Sequence, residues 1–160
     1  MRFFEDLVIG DRRELGRFTF TAERIKAFAA QFDPQAFHLD EQAGAQSLFG
    51  GLAASGWHVA AVGMKLLVAD GERQAAEALA RGETPAVWGP SPGFRELRWI
   101  KPVLADDRIS FASEIESLRT SDKRPQWGIL QARHTGTNQR GELVFSFLPS
   151  VFVPRRAPGS

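Results

Sequence analysis

Two titratable side chains, Asp33 and His38, stand five positions apart in a segment that follows a helical pattern. A carboxylate can orient an imidazole and stabilise its charge, and the two groups together can hold a water molecule. Such a pair has what is needed to add water to a carbon chain or to remove it. Without further context, the same two residues would more often be a helix-ending Asp and a structural or exposed His.

A glycine-rich stretch supplies that context, because Gly56 leads into an apolar run with helical spacing over residues 57–69. The backbone N–H of a glycine at a helix N-terminus is unobstructed and is aimed by the helix dipole. A carbanion next to a thioester is accessible only when its charge is delocalised onto a hydrogen-bonded oxygen, and this N–H can donate that bond. A base and an oxyanion donor are the minimum that a hydratase needs.

The elements that position these residues change from helices to strands along the chain. Helical spacing predicts helices at 21–32, 40–47, 57–69 and about 72–80, with a loop at 33–38. Only His58 and Lys65 interrupt the apolar character of 57–69, so this helix is predicted to be largely surrounded by protein. Extended runs predict strands at 94–100, 108–120, 127–136 and 142–153, with a bulge or an exposed leucine at Leu118. Helices followed by a meander of strands form an α+β pattern.

The composition narrows the class of protein. The chain has 160 residues, 43% of them hydrophobic, and a net charge of +1, which is typical of one soluble globular domain. It has no cysteine, so a cytoplasmic protein is the default expectation. The basic residues are scattered, which argues against a nucleic-acid partner. The uncharged run at 42–64 carries too many polar residues and glycines for a membrane span, so no membrane partner is expected.

Two other chemistries receive little support. Ser55 lacks the flanking glycines of a nucleophile elbow, which argues against a serine nucleophile. A metal site could be drawn from His38 and Asp40 with His58 or His134, but the clustered spacing of metal ligands is absent. We therefore expect no metal.

Two segments around these residues, FDPQAFHLDE at 32–41 and SLFGGLAASGWH at 47–58, resemble the hydratase motif of the MaoC-like dehydratases, the R-specific enoyl-CoA hydratases. The likeness extends to the opening at 3–11 and to the segment at 98–107, so it covers most of the chain.

The resemblance implies a hot-dog fold, a long central helix wrapped by a curved antiparallel β-sheet, as a single domain over residues 1–156. The residue types at 157–160 predict a loose tail. It implies that Asp33 and His38 activate the water that adds to C3 of a 2-enoyl-CoA, while the same site supplies the proton at C2. The Gly56 N–H would bind the thioester carbonyl. The substrate would be an acyl-CoA, no cofactor would be needed, and the chain would form a homodimer or a higher homo-oligomer.

Secondary candidates for substrate contact are Ser55, Trp57, Arg98, Lys123 and Arg124. Trp57 could be a pocket wall, but its apolar setting favours a place in the core. The three cations are interpreted as solvated surface, with contact to the CoA phosphates as the alternative, and His58 is predicted to pack or hydrogen-bond. Two other functions stay open, an acyl-CoA thioesterase and a noncatalytic acyl-CoA-binding module.

Overall fold

A computed structural model of the chain describes residues 1–156, so the predicted loose tail at 157–160 lies outside the described residues. Within this part of the chain, a 3₁₀ turn at Phe4–Asp6 precedes the helices α1 (Ala22–Phe32), α2 (Ala36–Leu39), α3 (Glu41–Gln46) and α4 (Gly56–Ala80). The strands are β1 (Arg12–Thr19), β2 (Gly93–Trp99), β3 (Arg108–Thr120), β4 (Trp127–Thr137) and β5 (Leu143–Pro154).

Local capping signals define the helices before the site. The Thr21 hydroxyl accepts a hydrogen bond from the Arg24 N–H at 3.3 Å and starts α1. This helix ends as predicted, because Pro34 disfavours a helical conformation at Asp33. The Asp40 carboxylate accepts a bond from the Ala43 N–H at 2.8 Å and starts α3, which confirms the short helix predicted near 40–47.

The strands form one antiparallel sheet in the order β1-β3-β4-β5-β2, with β1 and β2 at its edges. The four predicted strands are present with bounds that differ by at most one residue, whereas β1 was not predicted. The bulge expected at Leu118 lies slightly earlier, where the β3–β4 register shifts between Ile115 and Ser117. Leu118 itself packs partly buried against the core.

The long helix α4 lies against one face of this sheet. Gly63 allows the close approach, because a Cβ there would lie 3.2 Å from the Phe111 ring of β3. Phe20, Phe111 and Phe145 are almost fully buried in the core between helix and sheet. A long helix held by a five-stranded antiparallel sheet is the hot-dog arrangement that the resemblance implies, so the predicted fold is confirmed.

Helix α4 differs from the prediction in its continuity. The sequence predicts two helices, at 57–69 and 72–80, but one helix runs from Gly56 to Ala80. The polar residue at the expected break, Asp70, is buried, and its carboxylate accepts two hydrogen bonds from the Arg13 guanidinium at 2.9 and 3.0 Å. Within α4, Arg73 and Gln74 also donate to this carboxylate, so the helix passes through Asp70 with its charge fully paired.

The prediction that the apolar part of α4 is surrounded by protein is also wrong. The strands cover one side of the helix, and Met64 and Val68 on the other side are 45% and 54% exposed. Neither α4 nor any other helix in residues 1–156 combines the length and the apolar character needed to cross a membrane.

Candidate active site

The end of α1 and the short helix α2 position the carboxylate and the imidazole. Asp33 is the C-cap of α1, and its N–H donates to the Ala29 carbonyl at 2.9 Å. The chain then turns at Pro34 and forms one helical turn, α2, which carries His38. The sequence predicts a loop here, and the additional helical turn brings His38 back toward Asp33.

His38 is buried and its ring is fixed by one strong contact. Its Nδ1 lies 2.6 Å from the Ala53 carbonyl oxygen, and the Phe37 ring packs edge-on at a centroid distance of 4.6 Å. Because a carbonyl oxygen only accepts, this contact assigns the proton of the neutral imidazole to Nδ1. The other nitrogen, Nε2, is left as an acceptor and lies 3.4 Å from Oδ2 of Asp33.

The Asp33 carboxylate is held in its ionised form. Burial raises its pKa, but hydrogen bonds from the side chains of Ser55 and Gln35 lower it, and the pKa lies below the usual 3.8. The Gln35 amide donates to Oδ1 at 2.8 Å, which leaves Oδ2 facing His38. The side chain is 19% exposed, so solvent and small ligands can reach it.

The N-terminus of α4 brings a backbone donor to the same place. Ser55 caps the helix, with its hydroxyl accepting from the Trp57 N–H at 3.2 Å. Gly56 is the first residue of the helix, so its N–H has no acceptor within the helix and carries the positive end of the helix dipole. A negatively charged oxygen would be stabilised at this position.

A pocket of about 400 Å³ brings Asp33, His38 and Gly56 together. Its other walls are mostly apolar, which suits a site that binds a hydrocarbon group beside a few polar atoms. They are formed by Gln35, Phe37, Phe49, Ala54, Trp57, Val59, Trp99, Ile100, Lys101, Pro102, Val103 and Val144.

Sequence reasoning did not single out most of the other pocket residues, and two of them, Trp99 and Lys101, have polar groups at the site. Both lie in the segment 98–107 that carries part of the family resemblance, so that segment was the available signal. The Lys101 ammonium pairs with Glu142 at 2.5 Å. Trp99 lies at the end of the edge strand β2 and contacts Gly56 directly.

Two of the secondary candidates lie next to the three central residues, although not as expected. Trp57 lines the pocket and is 54% exposed, so its predicted place in the core is wrong: it lies on the same face of α4 as Met64 and Val68, which the sheet does not cover. Ser55 is fully buried and does not line the pocket. Its hydroxyl donates to the Asp33 carboxylate and accepts from the Trp57 N–H.

The cationic candidates are not brought to the pocket. Arg98 is exposed and precedes Trp99 on β2, so its side chain points to the opposite face of the sheet. Lys123 and Arg124 lie in the turn between β3 and β4, separated from Val144 by about 30 Å of extended strand β5. The three therefore match the surface interpretation.

The remaining histidines are packed among aromatic rings. His58 stacks on Phe28 at a centroid distance of 4.6 Å, as the packing prediction requires, and burial lowers its pKa to about 4. His134 stacks on Phe147 on the helix-facing side of β4. Within residues 1–156, no group of three or more His, Asp or Glu side chains is placed to hold a metal ion.

Comparison with known proteins now identifies the family. The model of the MaoC like domain matches residues 7–135, so the chain belongs to this family. The crystal structure of the MaoC-like dehydratase from Rhodospirillum rubrum superposes with a TM-score of 0.79 and 38% sequence identity, covering 98% of this chain and 99% of that one.

Two curated relatives match different shares of this chain. The uncharacterised protein YdeM of Bacillus subtilis is 28% identical over 151 residues, which is 94% of this chain and 98% of that protein. Mesaconyl-CoA hydratase of Cereibacter sphaeroides is 34% identical over 64 residues, which is 40% of this chain but only 18% of that enzyme.

Proposed function

We propose that this protein is an acyl-CoA hydratase or dehydratase, a hydro-lyase that adds water to a 2-enoyl-CoA or removes it from the 3-hydroxyacyl-CoA. The observation that carries the proposal is the 3.4 Å separation of Asp33 Oδ2 and His38 Nε2 in a pocket that also contains the Gly56 N–H. Two proton acceptors and an oxyanion donor around one apolar pocket are the groups that this reaction uses.

The acceptor pair positions the water. With Nδ1 protonated, His38 Nε2 and the Asp33 carboxylate are both acceptors, and their separation is longer than a normal hydrogen bond. One water can donate a proton to each of them, which leaves an oxygen lone pair free. The lone pair attacks C3 of the enoyl group while one O–H bond breaks and its proton passes to the acceptor pair.

The thioester end accepts the electrons that this attack displaces. The π electrons of the C2=C3 bond move onto the thioester oxygen, and the Gly56 N–H donates to the resulting enolate. The proton held by the acceptor pair then transfers to C2, the carbonyl re-forms, and the net change is the addition of one water. Addition of water causes no net oxidation or reduction of the substrate or the protein, so the proposed reaction requires no redox cofactor.

The relatives support this assignment. The Rhodospirillum rubrum protein is described as a MaoC-like dehydratase, and the Cereibacter sphaeroides enzyme as a hydratase of a CoA thioester. Hydration and dehydration share one transition state, so both descriptions fit one site.

An absorbance assay separates this proposal from its alternatives. Purified protein is mixed with crotonyl-CoA and with longer and branched 2-enoyl-CoAs, and loss of the conjugated enoyl-thioester absorbance is followed while free thiol is measured in parallel. A hydratase removes absorbance without releasing thiol. Thiol release would instead identify a thioesterase, and binding of acyl-CoA without turnover across the panel would identify a noncatalytic module.

We also propose that the chain acts as a homodimer. The outer edge of β2 has no strand beside it within the described residues, and exposed sheet edges favour pairing with another chain. The exposed apolar residues Met64 and Val68 on α4 would gain burial from a second copy. Light scattering after size exclusion should give twice the chain mass of 17.7 kDa, and a monomer at working concentration would contradict this.

A further inference from the structure

The side chain of Trp99 packs against Gly56, whose N–H is the proposed oxyanion donor. Its indole N–H donates to the Gly56 carbonyl oxygen at 2.9 Å. Its ring also meets the Trp57 ring edge-on at a centroid distance of 5.1 Å, so two indoles stand beside the first turn of α4. Trp99 reaches this place from the edge strand β2, where it pairs with Phe145 of β5.

The contact explains why residue 56 is a glycine. A Cβ at position 56 would lie 2.4 Å from Cε2 of Trp99 and 2.6 Å from two further indole atoms. Real Cβ atoms do not approach other atoms so closely, so a side chain at 56 and the indole of Trp99 exclude each other. Gly56 has no positive φ, so backbone conformation alone does not demand glycine here.

We propose that Trp99 is a positioning residue for the Gly56 N–H. The indole fills the place that a Cβ of residue 56 would take and donates to the Gly56 carbonyl oxygen. The Gly56 Cα joins the peptide plane of that carbonyl to the plane that carries the N–H. Holding the carbonyl plane restricts rotation of the plane that carries the N–H, and this keeps the N–H directed into the pocket. This inference rests on the proposed function, because it assigns Gly56 the role of binding the thioester oxygen.

A further consequence is energetic coupling between two residues from separate elements. Alanine at position 56 keeps the backbone N–H but displaces the indole, so Gly56→Ala should lose what Trp99 contributes. Once the indole has been removed by Trp99→Ala, the same alanine no longer meets the three atoms that lie nearest to it. The effects of the two substitutions are therefore not additive, which double-mutant analysis can detect.

A double-mutant cycle tests the inference, with kcat and KM for crotonyl-CoA measured for each protein. Trp99→Phe keeps a ring on Gly56 but lacks the donor, and kcat should fall about five- to tenfold, the rate equivalent of one hydrogen bond, with KM changed less than twofold. Gly56→Ala should lower kcat about tenfold or more in the wild-type background. In the Trp99→Ala background it should change kcat less than twofold. Equal losses in the two backgrounds would overturn the proposal.

The matched control is Trp127→Phe, the same indole-to-phenyl change at the far end of the sheet, where Trp127 packs on Phe152. Its kcat and KM should equal those of the wild type. A loss comparable to that of Trp99→Phe would show that replacing any partly exposed indole is harmful, and would refute a specific role for Trp99.

A binding arm separates this inference from the proposed function. Unreactive butyryl-CoA is titrated into ¹⁵N-labelled protein while the Gly56 amide signal is followed by NMR. The signal should shift in the wild type and shift much less in Trp99→Phe. If the protein binds butyryl-CoA without hydrating any enoyl-CoA, the proposed function fails while this comparison still decides the role of Trp99. An unchanged Gly56 response in Trp99→Phe, or no response in the wild type, would overturn the inference.

Discussion

Acid should destabilise this protein through His134, a buried histidine outside the pocket. The residue is 6% exposed, its Nδ1 has no hydrogen-bond partner in the described part of the chain, and burial lowers its pKa from 6.5 to about 4. In the unfolded chain His134 takes up a proton as the pH falls through 6.5, whereas in the folded protein it stays neutral until about pH 4. Its stabilisation is therefore complete above pH 6.5 and is lost as the pH falls toward 4.

The size of the effect follows from the difference between the two pKa values. A pKa of about 4 in place of 6.5 corresponds to about 3 kcal/mol of unfolding free energy across this window. For a chain of this length, that amounts to a fall in Tm of roughly 6–12 °C.

The matched variant is His134→Phe, which keeps an aromatic ring beside Phe147 but cannot titrate. Urea unfolding of both proteins near pH 7.5 and near pH 4 gives the loss of stability on acidification for each. The wild type should lose about 3 kcal/mol more than the variant. Other groups, including the carboxylates, are common to both proteins and cancel. Equal losses in the two proteins would refute the reasoning.

Three shorter predictions concern other parts of the molecule. Asp70→Ala removes the buried partner of Arg13 and should lower the unfolding free energy by about 1–3 kcal/mol in a urea titration, whereas an unchanged midpoint would contradict the pairing. Gly128→Ala places a Cβ 2.0 Å from the Phe4 ring and should lower Tm, with partial recovery in a Phe4→Ala background. Because the pKa of Asp33 is lowered, its titration should add no limb to the rate profile between about pH 5 and pH 8.

Elements whose signals are local could be predicted from the sequence. Helix α1 has its N-cap at Thr21 and its stop before Pro34, and β3 to β5 are bounded by turn residues. The three central site residues could also be selected, because Asp33, His38 and Gly56 lie in motifs that resemble one family. The structure brings all three to one pocket.

Features that depend on contacts between distant segments could not be predicted. Strand β1 was missed because the bulge at Gly16, with φ at 131°, breaks the alternation of apolar residues. Helix α4 was divided at Asp70, whose burial depends in part on a pairing with Arg13 that spans 57 positions. Trp57 was assigned to the core because an apolar run does not show which face of the helix the sheet covers, and Trp57 lies on the uncovered face with Met64 and Val68.

The measurement that tests the central claim most directly is the hydration rate of Asp33→Asn, His38→Gln and the double variant. Asp40→Asn is the matched control, because its carboxylate caps α3 and does not line the pocket. If Asp33 and His38 activate one water together, each single variant should lose roughly 10²–10⁴ in kcat, the double variant should lose little more, and Asp40→Asn should retain full rate. Full activity in either single variant would contradict the account, as would losses that multiply in the double variant.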